Sequence, residues 1–169
     1  SSAASDVYKR QSTKSDCGEF FMKITGLITE YNPFHNGHQY HIEKAKKLTG
    51  ADKVVVVMSG NFVQRGAPAL LPKHLRAEMA LKSGADLVIE LPVFYACASA
   101  EYFAYGAVSL LHALHCVDSI CFGSECGDLT LLQKAANIMA EEPDAYKHSL
   151  QSYLRAVSYT HLTLPTIRL

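Results

Sequence analysis

Residues 26–41 read GLITEYNPFHNGHQYH, and this stretch decides the fold. The run that leads into it, KITGLITE over 23–30, is apolar and β-branched, which is the composition of a strand. A turn follows, in which Pro33 stiffens the backbone and biases Asn32 toward an extended conformation. A helix is expected over Gly37–Leu48, with His38, Ile42, Ala45 and Leu48 recurring as its inner stripe. Gly37 lets the backbone approach a ligand closely where that helix starts. Helix N-termini offer N–H groups and the positive end of the dipole, so they suit phosphate. His35 and His38 flank the start. Their imidazoles can donate to phosphate oxygens and stabilise charge that grows on a pentavalent phosphorus. No protein nucleophile is needed, because nucleotidyl transfer rests on positioning and electrostatics.

The pattern His-x-Gly-His is only modestly specific by itself, and a purely structural pair of histidines also explains it. Its position directly after a strand and at a helix start favours the phosphate reading. Zinc fits less well: His35, His38 and His41 lie close in sequence, but no fourth ligand stands at a suitable spacing.

Strand and helix alternate beyond this point. Lys53–Met58 (KVVVVM) is a continuous apolar run, as expected of a strand buried on both faces. A Gly- and Pro-containing loop spans Ser59–Leu71, and a helix over Pro72–Ser83 has proline in its first turn. Asp86–Leu91 reads as a short buried strand. Ala98–Leu114 reads as a long helix with Phe103, Ala107, Leu110, Leu111 and Leu114 on one stripe. Asp118–Phe122 is the next strand, with Gly123-Ser124-Glu125 leaving it as a loop. Asp128 caps a last helix to about Glu141, with Leu132, Ala135 and Met139 inward. Repeated βα units with buried strands specify an α/β fold, a Rossmann-like doubly wound parallel sheet with helices on both faces. Such sheets bind ligands beyond the carboxyl ends of their strands, at a switch point in strand order.

The formal net charge is zero, which points to neither nucleic acid nor membrane. The distribution says more. Residues 44–82 carry eight Lys/Arg against Asp52 and Glu78, whereas residues 86–144 carry nine acids against Lys134. A basic front suits a phosphate-rich ligand, and a solvated helix face explains it equally. The five cysteines are odd in number and form no Cys-x-x-Cys, so reduced thiols in the cytoplasm are expected, with no disulfide partner. Cys97 and Cys121 read as small packed hydrophobes. No apolar run approaches the roughly 20 residues that span a bilayer. Residues 1–21 are polar and patternless until Phe20, so a non-native or disordered leader is expected there. The incomplete domain is expected over 22–156, with a non-native tail over 157–169.

Several further side chains have two readings. Ser59, Asn61 and Arg65 either face the cleft, with Arg65 on phosphate or RNA, or belong to a polar surface loop. Lys73 and Arg76 share a helix face by spacing and either bind triphosphate or RNA backbone or are solvated. Glu90 either orients a loop at the cleft mouth or caps a helix. His112, His115 and Cys116 cluster where a helix ends, which suits the dipole better than a metal.

Three blocks in order carry a resemblance: GLITEYNPFHNGH over 26–38, MSGNFVQRG over 58–66 and GADLVIELP over 84–92. The first resembles the signature of the HIGH-type nucleotidyltransferase superfamily, which includes class I aminoacyl-tRNA synthetases. Together they resemble the tRNA(Met) cytidine acetate ligase family, from Met22 to about Leu154. The resemblance implies the nucleotidyltransferase fold and a ligase that joins acetate to ATP, giving acetyl-adenylate and pyrophosphate. The acetyl group then passes to N4 of the wobble cytidine of elongator tRNA(Met). It implies an ATP loop made of Ile28, Thr29, Glu30, Tyr31, Asn32, Pro33, Phe34, His35, Asn36, Gly37, His38, Gln39, Tyr40 and His41. Gly123 is implied as a further nucleotide contact, and Mg²⁺ is expected to accompany ATP. The family's later ATP contacts fall beyond the matched blocks. Two alternatives stand beside this reading: an adenylyltransferase acting on a small phosphorylated metabolite, and a nucleotide-binding module without turnover.

Overall fold

The valine run at the centre of the sequence becomes the centre of the sheet. In the computed structural model, which describes residues 4–9, 22–125, 127–153 and 155, five strands form one sheet. They are β1 (Ala4–Lys9), β2 (Ile24–Thr29), β3 (Lys53–Ser59), β4 (Leu87–Leu91) and β5 (Ser119–Ser124), in the spatial order β1-β5-β2-β3-β4. Pairs β2–β3, β3–β4 and β2–β5 are parallel, and β1 lies antiparallel on β5. The expected parallel sheet is therefore present, with an antiparallel strand added from the stretch read as a patternless leader. The chain divides into two units, Ser1–Gly127 and Asp128–Leu169, and the sheet belongs to the first.

Alternation along β3 shows why both faces are covered. Val54, Val56 and Met58 join Leu27, Tyr31, Ile42, Ala45 and Ala80 in one apolar cluster. Ile42 and Ala45 come from α1 (Asn36–Thr49), and Ala80 comes from α2 (Lys73–Lys82). Val55 and Val57 face the other way and meet Leu91, Ala96, Phe103, Ala107 and Leu111. Those partners come from the end of β4, from α3 (Val93–Ala96) and from α4 (Ala100–Ala113). The chain steps outward from β2 to β3 to β4 over one face. It then returns over the other through α3 and α4, and lays β5 beside β2. The direction of winding therefore reverses between β2 and β5, which puts the switch point there.

Some boundaries differ from the sequence reading, each for a local reason. Leu48 is 48% exposed, so the inner stripe of α1 ends at Ala45. β4 is an edge strand paired only with β3, so Leu87 is 46% exposed and the strand is not buried as expected. The helix expected over 98–114 is present as α4, and the one-turn α3 that stands before it was not expected. Pro92 precedes the one-turn α3, and Ser99 precedes α4. β5 continues through Gly123 and Ser124, which were expected to form a loop. In the second unit, α5 (Leu129–Glu141) begins at Asp128, whose carboxylate accepts from the Thr130 and Leu131 amides, as expected of an N-cap. None of its residues is buried, so Leu132, Ala135 and Met139 do not form an inner face. No helix among the described residues is long and apolar enough to cross a membrane.

Gly106 fixes how closely α3 approaches α4, since a Cβ there would collide with the Tyr95 ring and its own Cβ. Gly106→Val should therefore lower unfolding stability by about 1–3 kcal/mol, although valine is the better helix former. Urea denaturation measures this, and unchanged stability would contradict the packing.

Candidate functional site

The site is built where β2 ends. Tyr31 is the first residue beyond Glu30. It has a left-handed backbone (φ 49°) and is buried, with its ring edge-on to Phe34 and His38 at 4.8 Å from each. The Asn32–Pro33 peptide is cis. His35 then adopts extended backbone (φ −147°, ψ 174°) and serves as the N-cap of α1.

The two histidines cap the helix reciprocally. The Gly37 amide donates to His35 Nδ1 (3.1 Å), and the His35 amide donates to His38 Nδ1 (3.2 Å). The rings stack at 3.8 Å between centroids. With both Nδ1 atoms accepting, each neutral ring carries its proton on Nε2. Capping by imidazole departs from the expectation of unoccupied amides, because Gly37 is already engaged. It leaves two Nε2–H groups as donors at the positive end of a helix with no acidic residue in its first turn. A side chain at position 37 would crowd the His35 ring, with Cβ only 2.9 Å from Cε1.

Electrostatics favour the neutral form of His38. Burial lowers His38 to about 4, and repulsion from His35 and His41 adds to the shift. Burial lowers His41 in the same direction. Burial also pushes the Tyr31 hydroxyl up to about 12, and the nearby Thr29 hydroxyl opposes this more weakly. At neutral pH His38 therefore offers a hydrogen-bond donor without imidazolium charge.

Nine of the expected loop residues line one pocket of about 380 Å³: Ile28, Thr29, Glu30, Tyr31, Asn32, Pro33, His35, His38 and His41. Phe34 packs beneath it, against Tyr31 and His38. Asn36 and Gly37 are exposed at the helix start. Gln39 donates to Glu43 (3.0 Å), and Tyr40 lies under the Lys44 ammonium, so both face away. Gly123 sits near the carboxyl end of β5, the neighbour of β2 across the switch point, with open space where a Cβ would stand.

The residues flagged after β3 do different things. Ser59 is buried, and its hydroxyl makes no hydrogen bond. Asn61 Oδ1 accepts from the Lys73 amide (3.1 Å) and so caps α2. Arg65 is exposed with a left-handed backbone (φ 63°). Lys73 pairs with Glu90 at 2.6 Å. Arg76, read as sharing an outward face with Lys73, is instead completely buried. Its spacing of four from the buried Ala80 was the signal for that.

A second pocket, of about 270 Å³, lies at the far end of β5 among Val108, Leu111, His112, His115, Val117 and Asp118. It is distant from the switch point. Among the described residues, no three His, Cys, Asp or Glu side chains are placed to hold a metal ion.

The low His38 value has a consequence for stability. Between about 4 and its ordinary 6.5 the unfolded chain binds more protons than the folded one. The contribution is therefore complete above 6.5 and is lost as pH falls toward 4; His41 acts in the same sense. The urea midpoint should fall between about pH 7 and about pH 5, and His38→Asn should flatten that slope. A proton NMR titration of the His38 ring with a midpoint near 6.5 would contradict the assignment.

Comparison with known proteins places this geometry. A family model described as HIGH Nucleotidyl Transferase matches residues 22–164. A tRNA(Met) cytidine acetate ligase of Clostridium perfringens is 57% identical over 134 residues, covering 79% of this chain and 33% of the relative. One from Acetivibrio thermocellus is 61% identical over 133 residues, covering 79% and 32%. A crystal structure of Thermotoga maritima TmcAL bound with alpha-thio ATP superposes with a TM-score of 0.73 at 49% identity, over 80% of this chain and 33% of that one. The chain thus spans about a third of the length of the curated relatives it matches. With the signature histidines at the start of α1 and the fold shared with a solved relative, the chain belongs to the HIGH nucleotidyl transferase family.

Proposed function

We propose that this chain carries the ATP site of a cytoplasmic ligase that activates acetate and acetylates N4 of the wobble cytidine in elongator tRNA(Met). The observation that carries the ATP site is the stacked His35–His38 pair, with both Nε2–H groups available at the N-terminus of α1. The acceptor is supported by relatives named tRNA(Met) cytidine acetate ligase, and the nucleotide by a solved relative bound with alpha-thio ATP.

In this reading an acetate oxygen attacks the α-phosphorus of ATP. The new O–P bond forms as the bond to the bridging oxygen breaks, and pyrophosphate leaves. The imidazoles donate to non-bridging oxygens as charge grows there, from positions that need no reorganisation. They supply hydrogen bonds, and His38, being neutral, brings no charge that must first be desolvated. The cytidine N4 then attacks the acetyl carbonyl carbon, AMP leaves, and N4 loses a proton. Mg²⁺ would accompany the phosphates as a charge-neutralising partner. Gly123 lies where the nucleotide would extend across the switch point. Arg65 is the exposed cation on the Ser59–Leu71 loop suited to the RNA backbone, with Asn61 and Lys73 at the base of that loop and Ser59 and Arg76 behind it.

A second reading has one observation behind it. It takes the 169 residues, which span about a third of the curated relatives' length, as a nucleotide-binding module without turnover. An adenylyltransferase acting on a phosphorylated metabolite would share the same loop and differ in its acceptor.

ATP titration of this chain tests the site. His35→Asn and His38→Asn should each weaken binding about ten- to a hundredfold, the range for losing a hydrogen bond to a charged group. Acetate-dependent exchange of labelled pyrophosphate into ATP, in a full-length protein containing this segment, tests the acceptor. Intact ATP binding without that exchange would contradict acetate activation.

A further inference from the structure

Arg76 is the largest of the fully buried side chains among the described residues. None of the described ion pairs includes it. Its nearest acidic neighbours are committed elsewhere: Glu30 Oε1 accepts from the Gln64 amide (2.9 Å), and Glu90 takes the Lys73 ammonium. The guanidinium is satisfied by main chain instead. Nε donates to the Leu71 carbonyl (3.0 Å), Nη1 to the Glu30 carbonyl and Nη2 to the Gly60 carbonyl. These carbonyls belong to Glu30, in the nucleotide loop directly before Tyr31, and to the two ends of the loop that follows β3.

Burying a cation is costly even with the Glu30 and Glu90 charges acting on it, and an apolar residue at this position would pack more cheaply. What the arginine achieves is geometric, because its planar fork reaches three separate backbone segments at once. The segment it grips first needs such a grip. Tyr31 follows Glu30 directly and has a left-handed backbone while buried, a conformation that persists only where its surroundings over-determine it. The other loop is joined to the same strand end twice more. The Gln64 amide donates to Glu30, and the Leu70 amide donates to Asn32 Oδ1 (2.7 Å).

We propose that Arg76 is a positioning residue for the nucleotide site: it clamps the Glu30 carbonyl against both ends of the 60–71 loop and thereby fixes the turn that aims His35 and His38. The proposal rests on the ATP reading above and extends it to a side chain outside the pocket lining. It also makes the 60–71 loop and the nucleotide loop a single mechanical unit, so that disturbing one disturbs the other.

The test compares Arg76→Lys with Phe103→Ala in the full 169-residue chain. Lysine keeps the charge but cannot reach three carbonyls. Phe103 packs on the opposite face of the sheet and serves as a control for general destabilisation. ATP affinity is measured at a temperature where circular dichroism shows every variant folded. Arg76→Lys should weaken ATP binding about tenfold or more, as expected for a misplaced contact. It should also speed amide exchange over residues 31–38 and 61–71 relative to β3. Phe103→Ala should leave affinity within about twofold, since distant sites act independently. Wild-type affinity in Arg76→Lys, or an equal loss in Phe103→Ala, overturns the proposal. If the wild-type chain does not bind ATP, the ATP reading fails by itself. The exchange pattern then still decides whether Arg76 fixes the two loops, and uniform acceleration across the sheet would reject it.

Discussion

The reciprocal hydrogen bonds between His35 and His38 set the chemistry of the site. Each ring accepts one backbone N–H through Nδ1, and this defines the tautomer of both. Stacking then makes double protonation unfavourable, and burial lowers His38 further. Two neutral Nε2–H donors result, fixed to the start of a helix and therefore to the end of the strand before it. A pair of free surface histidines would be partly charged near neutral pH and rotationally mobile. The fold removes both freedoms with two hydrogen bonds.

The sheet supplies the rest of the geometry by topology. Winding outward from β2 to β4 and returning to β5 lays β5 parallel beside β2, paired at Thr25–Ser119 and Gly26–Ile120. Gly123 lies near the carboxyl end of β5, and the histidines follow the carboxyl end of β2. Val54 through Met58 hold the sheet from both faces, which explains why β3 reads as an uninterrupted apolar run. Arg76 then connects the β2 end to the loop after β3, so the site is braced from behind as well as from the side.

Much of this was legible because it is local or periodic. A strand, a proline-stiffened turn and His-x-Gly-His occur within residues 26–41, so the phosphate site could be read without tertiary information. The parallel sheet followed from alternation, and the two-sided burial of β3 from composition. What could not be read depends on long-range contacts. Arg76 looks like an ordinary surface cation until its alignment with Ala80 is considered, because charge alone argues outward. Leu87 looks like a core residue, and only the edge position of β4 exposes it. The apolar stripe on α5 shows the opposite failure, since periodicity indicates a face but not what covers it.

The most direct test is a long-range ¹H–¹⁵N correlation spectrum of the histidine side chains, recorded while ATP is added. Before ATP, His35 and His38 should both appear as neutral Nε2–H tautomers at neutral pH. During the titration the Nε2 signals of both rings should move together with the Gly37 amide. An Nδ1–H tautomer at either ring would contradict the account. So would ATP-dependent shifts confined to His112 and His115, with His35 and His38 unmoved.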